Sequence, residues 1–389
     1  MTMKIGIDAR FYGTIGKGLG RYVSELITHL EQLDDRNEYV IFLRRENFDD
    51  YQPTTPNFRK ELAEYRCYSL NEQILFPLFL RRFHLDLMHF PHFNVPILYR
   101  RPFITTVHDL ILLRFPTVRS TTLNPLIYRL KFLAYRLVIA NALRRAKTIL
   151  TVSRTTKKEI EQLFPRTKNK SIIVTDCACS ENFGNNENKN ESTERTSAPK
   201  KPYTLYVGSA YPHKNLERLV KGFDQFRRQG HENYSLVLVG ANDYFYERLQ
   251  KEMTREQLGL GVTFFGRASD EELADLYRNA SFYVFPSLCE GFGIPPLEAM
   301  SYGLPVVSSN QSCLPETLGQ AALYFDPEDI ESMVTAMSRL ADDEGLRTKL
   351  IEAGRIQCTC YSWRDTAART LAIYEQSLQK NDERHQQTT

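Results

Sequence analysis

The 389-residue sequence contains one tryptophan and seven cysteines. Seven is an odd and sparse number at this length, which excludes a disulfide framework and makes a reducing compartment the default. Cys177/Cys179 and Cys358/Cys360 leave a single residue between thiols, a tighter spacing than zinc knuckles use. All seven read as buried or incidental thiols. No apolar run approaches the ~18 residues of a membrane span. The opening MTMKIGIDAR has no charged stretch followed by an apolar one, so it does not read as a secretory signal. Neither sign of charge dominates, with 50 basic against 47 acidic residues and a net charge of +3. Hydrophobic residues make up 42% and charged residues 25%, which excludes disorder as the dominant state.

What is present is a chain long enough for two to three domains at ~150 residues each. The charge is polarised. Residues 100–170 hold 16 Lys/Arg against Asp109, Glu159 and Glu161, so the rest of the chain is acidic on balance. Short apolar runs read as strands buried on both faces at 3–8, 40–44, 86–90, 103–109, 148–153 and 171–176. Between the first two lies a helical pattern, 20–33, with Tyr22, Leu26, Ile27, Leu30 and Leu33 on one face. The stretch 184–201 is almost devoid of apolar residues and reads as a linker or surface insertion. The alternation then restarts at 204–209, 235–240, 262–266, 281–287, 305–309 and 322–326, with helices expected at 270–280 (Ser269 as N-cap), 328–343 and 363–379. Residues after Gln379 are polar and read as a frayed tail. Two βα-repeating halves predict an α/β protein of two doubly wound parallel-sheet domains, 1–183 and 202–362. Ligands are expected at the C-terminal strand ends, in the cleft between domains.

The stretch 281–307, SFYVFPSLCEGFGIPPLEAMSYGLPVV, reads strand, loop, helix, loop, strand. Pro295 and Pro296 suit a first helical turn, and Gly303 followed by Pro305 suits its end. Glu290 then precedes the helix and Glu298 lies within it, seven residues intervening. Gly291 and Gly293 mark a turn where backbone approaches something closely. A helix N-terminus offers amide hydrogens and positive potential to phosphate or sugar oxygens, and a carboxylate accepts two hydrogen bonds from a vicinal diol. The bland alternative is a capping Glu290 and a solvated Glu298.

CEGFGIPPLEAM followed by GLPVVSS resembles the E-x7-E signature of the retaining glycosyltransferases of family 4. GSAYPHKNLERLVKGF (208–223), HFPHFNVP (89–96), TVHDLI (106–111) and TILTVSRTTKKEI (148–160) resemble further family segments in the right order. The resemblance implies the GT-B architecture, two Rossmann-like domains facing across a cleft. It implies a hexosyl transfer from a nucleotide-diphosphate sugar, with mannose a candidate, to a glycan or lipid-linked saccharide. Glu290 would contact the donor sugar and Glu298 the ribose diol. The amides around Phe292 and Gly293 would meet the sugar and diphosphate. Lys214 would neutralise the leaving diphosphate, beside Gly208 and Ser209. Many members carry an arginine where this chain has Ser209, which leaves the second cation open between His213 and Arg218. The glycine segment 13–21 would reach the diphosphate through Gly16, Gly18 and Gly20, with Lys17 or Arg21 as charge partner. His108 would contact the donor sugar or position the acceptor. No cofactor and no metal are implied, the nucleotide sugar being a co-substrate. Helix 363–380 would pack back on the first domain with Trp363 as its anchor.

His89 and His92 are three apart, but no other ligand completes a metal set nearby. Segment 126–147 interleaves Arg/Lys with Leu, Phe, Tyr and Ile. It reads as a core-facing helix with a solvated basic face, or as a contact with an anionic bilayer. Nucleic acid is a poorer fit, because no recognition motif accompanies the charge. The expected location is the cytoplasm, including the inner membrane face. Same-fold alternatives are a nucleotide-sugar epimerase or a phosphorylase; a non-catalytic sugar-nucleotide-binding protein stands outside catalysis. The base, the hexose, the acceptor and the oligomeric state are not set by the sequence.

Overall fold

The computed structural model describes residues 2–13, 17–115, 124–178, 199 and 201–386. Gly16 and nearly all of the 184–201 segment lie outside the described residues. The chain divides into two compact units. One comprises Met1–Leu110, Thr121–Cys177 and Ser362–Thr389; the other comprises Ile111–Ser120 and Ala178–Tyr361.

The first unit holds β1 (Lys4–Asp8), α1 (Lys17–Leu33), β2 (Glu38–Leu43), β3 (Phe58–Leu62), α2 (Leu70–Leu80), β4 (Leu87–Phe90) and β5 (Phe103–Val107). After α3 (Ile111–Arg114), which belongs to the second unit, come α4 (Pro125–Arg145), β6 (Thr148–Thr151), α5 (Arg154–Leu163) and β7 (Ser171–Val174). The seven strands run parallel in the order β3-β2-β1-β4-β5-β6-β7. β4 and β5 are buried at every position, as strands covered on both faces should be. β3, FRKEL, is a charged edge strand, and charge at an edge discourages pairing with another chain.

The second unit alternates β8 (Tyr203–Val207), α6 (Leu216–Arg228), β9 (Ser235–Val239), α7 (Tyr244–Arg255), β10 (Val262–Gly266) and α8 (Asp270–Asn279). Then follow β11 (Phe282–Phe285), α9 (Ile294–Ser301), β12 (Val306–Ser309), α10 (Leu314–Leu318), β13 (Ala322–Phe325), α11 (Ile330–Asp342) and α12 (Glu344–Cys358). Its six strands are parallel in the order β10-β9-β8-β11-β12-β13. Ser269 caps α8 in a capping box with Glu272, so both orphan donors are satisfied reciprocally.

The last helix, α13 (Trp363–Gln386), returns to the first unit and packs on α1. Trp363 is fully buried, its ring edge-on to Tyr22 at 5.8 Å. The backbone stays helical to Gln386, beyond the expected fraying point at Gln379. A second correction concerns α1. It starts at Lys17, so Gly18 and Gly20 are helical residues and not part of a loop preceding a helix at 20. Among the cysteines, Cys177, Cys289 and Cys313 are buried, Cys360 is exposed and none of the described ones is bonded to another.

Candidate functional site

In each sheet one pair of neighbouring strands leads its connections off in opposite directions, and ligands of open α/β sheets bind beyond that point. In the second unit the switch lies between β8 and β11. The segments following these two strands carry Lys214 and Glu290. Lys214 Nζ donates to Glu290 Oε1 at 2.6 Å, with side chains only 16% and 10% exposed. The lysine also lies 5.7 Å from the Phe285 ring centroid.

Local structure explains the meeting. After β8 the chain makes a short 3-10 turn, Pro212–Lys214, and Asn215 takes a left-handed conformation before α6 begins. Buried Asn215 donates through Nδ2 to the carbonyls of Pro286 and Pro327 at 3.1 and 2.8 Å. The Leu288 amide donates to the His213 carbonyl at 2.8 Å. The two loops are thereby stapled before any ligand arrives. Glu290 is held from the other side: its carbonyl accepts from Ser312 Oγ at 2.8 Å and Cys313 Sγ at 3.3 Å. At the β8 end, Tyr246 donates to the Gly208 carbonyl at 2.8 Å and Tyr206 to that of Ser209 at 2.9 Å.

Beyond Glu290, Gly291 and buried Phe292 lead to Gly293, which caps α9 at φ +101°. A side chain there would be strained, and its Cβ would come within 2.9 Å of Leu314. Pro295 and Pro296 occupy the first turn as the sequence predicts. Both prolines lack an N–H, so within that turn Ile294 carries the free amide; it lies four residues after Glu290, at the positive end of the helix. Glu298 is not a solvated helix residue: it is 3% exposed and accepts from the Tyr277 hydroxyl at 3.3 Å.

Of the two candidates for a second cation, His213 is pushed down to about 4, chiefly by burial and then by Lys214. Its ring is neutral at pH 7. Arg218 donates to Asn215 Oδ1 at 3.0 Å. It helps line a cavity of about 410 Å³ with Tyr211, Phe245 and Arg248. Neither Lys214 nor the two glutamates line that cavity.

In the first unit the switch lies between β1 and β4. Phe11, after β1, and His92, after β4, approach there with ring centroids 5.5 Å apart. His108 follows β5, one residue past its end. Its Nε2 lies 2.9 Å from the Pro91 carbonyl. A carbonyl only accepts, so Nε2 carries the hydrogen and Nδ1 keeps a lone pair. Burial pushes this imidazole down to about 4, and its ring stands edge-on to Tyr22 at 4.6 Å. His108 can therefore accept a hydroxyl hydrogen bond but carries no positive charge at pH 7. Gly18 is exposed and open. Gly20 is there for packing: a Cβ would lie 2.0 Å from the Gly13 carbonyl oxygen.

His89 is saturated by Tyr374 at 2.8 Å and Thr106 at 2.9 Å. Among the described residues no cluster of three His, Cys, Asp or Glu is placed to hold a metal. Nothing in the sequence marks Asn215, Ser312 and Cys313, whose contacts to the two loops span 22 to 112 residues. Nor does the sequence mark Arg10, a fully buried guanidinium bonded to Asp8 and Glu72 at 2.7 Å each. The charged triplet joins the β1 loop to α2 at the switch point.

The chain matches two family descriptions, Glycosyltransferase Family 4 over residues 16–175 and Glycosyl transferases group 1 over 187–357. It is 28% identical to O-antigen chain mannosyltransferase B of Escherichia coli, over 92% of this chain and 96% of that one. It is 32% identical to O-antigen chain mannosyltransferase RfbU of Salmonella typhimurium, over 61% and 64%. Among solved structures, sucrose-phosphate synthase from Thermosynechococcus elongatus superposes with a TM-score of 0.75 at 19% identity, covering 96% of this chain and 98% of that one. Its likeness shows the shared GT-B fold. With sheet topology, motif and both family matches in agreement, the chain belongs to the group 1 glycosyltransferases of family 4 and is an enzyme of the hexosyl-transferring class.

Proposed function

We propose that this enzyme moves a mannosyl group, with retention, from a nucleoside-diphosphate sugar to a hydroxyl of a growing polysaccharide or lipid-linked saccharide. The observation that carries the reading is the Lys214–Glu290 pair at the β8/β11 switch point, with the start of α9 beside it. Glu290 accepts from hydroxyls of the donor sugar. Lys214 and the N-terminus of α9 face the diphosphate, where negative charge grows as the sugar departs. Gly208 and Ser209 shape the same turn, and Glu298 reads the ribose diol. His108 Nδ1 receives a sugar hydroxyl. The mannosyl preference rests on the two O-antigen mannosyltransferase relatives.

The bond from the anomeric carbon to the phosphate oxygen breaks, and the bond to the acceptor oxygen forms on the same face. The acceptor proton passes to the departing phosphate. With Lys214 and the α9 terminus supplying the positive field, transfer needs no divalent ion.

Incubation with GDP-mannose and an oligosaccharide acceptor, in the presence of a chelator, tests the whole reading. The expected product keeps the donor's α configuration by proton NMR. An inverted anomer overturns retention, and no transfer from any mannosyl nucleotide overturns the donor. Calorimetric titration of Glu298→Ala with the nucleoside diphosphate is expected to show weakened binding; an unchanged Kd removes Glu298 from the ribose.

A further inference from the structure

Helix α4 is apolar on two opposite faces. Ile139, Ala142 and Leu143 are fully buried in the first unit. At about 100° per residue, Leu126, Leu130, Leu133 and Leu137 form a second stripe, at i, i+4, i+7 and i+11, on the far side. These four are between 54% and 69% exposed. Single exposed leucines are ordinary, but a contiguous stripe on a soluble surface marks an interaction site.

Helix α2 repeats the pattern, with Leu70 80% exposed and Ile74 and Leu78 about half exposed. Both helices are tied to one loop. Asn94 donates to both carboxylate oxygens of Glu72 on α2, and the Ile97 amide donates to Gln73 of α2. Phe93 of the same loop packs edge-on against Tyr135 of α4 at 4.9 Å. Leu98, on that loop, is exposed as well. The two leucine faces therefore flank a single segment of the first unit.

The exposed charge on α4 and directly after α2 has one sign. α4 carries Arg129, Lys131, Arg136, Arg144 and Arg145 and no acidic residue. Arg129, Lys131 and Arg136 are exposed and form no ion pair among the described residues. Arg81 and Arg82 follow α2 directly and are exposed, whereas Glu72, the acid of α2, is buried against Arg10. Exposed leucines among unpaired cations match an anionic bilayer, with apolar side chains entering the acyl boundary and cations meeting headgroup phosphates. No helix among the described residues is long and apolar enough to cross a membrane, so such a helix lies in the interface plane.

We propose that α2 and α4 together form a docking face for anionic phospholipid bilayers. This face is independent of the sugar chemistry and does not rest on the donor or acceptor assigned above. The interleaving of basic and apolar residues marks α4 in the sequence, whereas the shared loop and the exposed face of α2 are visible only in the fold.

Flotation of the full chain with phosphatidylcholine vesicles, with and without phosphatidylglycerol, is the test. The expected result is flotation only with phosphatidylglycerol, released by salt. Leu130→Gln/Leu137→Gln and Arg129→Glu/Arg136→Glu are each expected to lower the bound fraction more than about tenfold. Circular dichroism and turnover on a water-soluble acceptor stay at wild-type values, which separates lost docking from lost folding. Wild-type protein that does not float with anionic vesicles, or variants that float equally well, overturn the proposal. So does a dimer in sedimentation that the leucine variant dissolves, since it gives the face to a second copy.

Discussion

Lys214 and Glu290 form an ion pair with both side chains mostly buried, so removing either partner leaves a mostly buried charge without its counterpart. Their two substitutions are expected to separate chemistry from binding. On the role proposed for Lys214 at the departing diphosphate, Lys214→Ala is expected to lower turnover by about 2–4 kcal/mol of transition-state stabilisation. Glu290→Gln keeps the shape but frees Lys214 from its carboxylate. The nucleoside diphosphate is then expected to bind more tightly in calorimetry while turnover falls. Weaker diphosphate binding by Glu290→Gln refutes a competition between carboxylate and phosphate for one lysine. Both residues were readable in the sequence because each sits in a motif with a local physical reason. Their contact was not, since 76 residues separate them. Ser312 and Cys313 were hidden for a related reason: an ordinary serine and thiol acquire meaning only when the fold brings them under the Glu290 carbonyl.

At the level of elements, strands buried on both faces declared themselves through apolar runs, and their order along the chain was readable. β3 escaped because FRKEL is charged, and only the neighbouring β2 makes it a strand. α2 escaped because Pro77, a helix breaker in sequence terms, lies inside it and its apolar residues face both inward and outward. The start of α1 was hidden by Gly18 and Gly20, weak helix formers that carry no periodicity. The return of α13 rests on Trp363 and on the Tyr374–His89 hydrogen bond. Trp363→Ala is expected to cost about 3–5 kcal/mol in urea unfolding of the first unit; a loss within experimental error means the tryptophan anchors nothing. Burial also pushes His89 down from an ordinary 6.5 to about 3. As pH falls below about 6.5 the unfolded chain takes up this proton while the folded chain does not, so stability is full above that value and drains away toward pH 3. His89→Gln is expected to flatten part of that decline, read as melting temperature against pH. An identical slope in the variant assigns the decline to other groups.

At the scale of the whole molecule, each unit carries its own parallel sheet, its own core and its own switch point. Lys214, Glu290 and the start of α9 all belong to the second unit, whereas the α1–α13 packing belongs to the first. On the proposed site, diphosphate binding engages the second unit and terminal-helix anchoring the first, and the two are expected to open separately. Hydrogen exchange resolved by peptide is the direct reading. Saturating nucleoside diphosphate stabilises the state it binds, by about 2.7 kcal/mol at a hundred times Kd. Protection is expected to rise in peptides covering 208–216 and 286–298, and to be lost in Lys214→Ala. Trp363→Ala is expected to speed exchange across α1 and α13 and to leave the diphosphate protection at 208–216 and 286–298 in place. If Trp363→Ala abolishes that protection, the two units do not open separately. The diphosphate site would then depend on the first unit's core, and assigning binding to the β8/β11 switch point alone would fail.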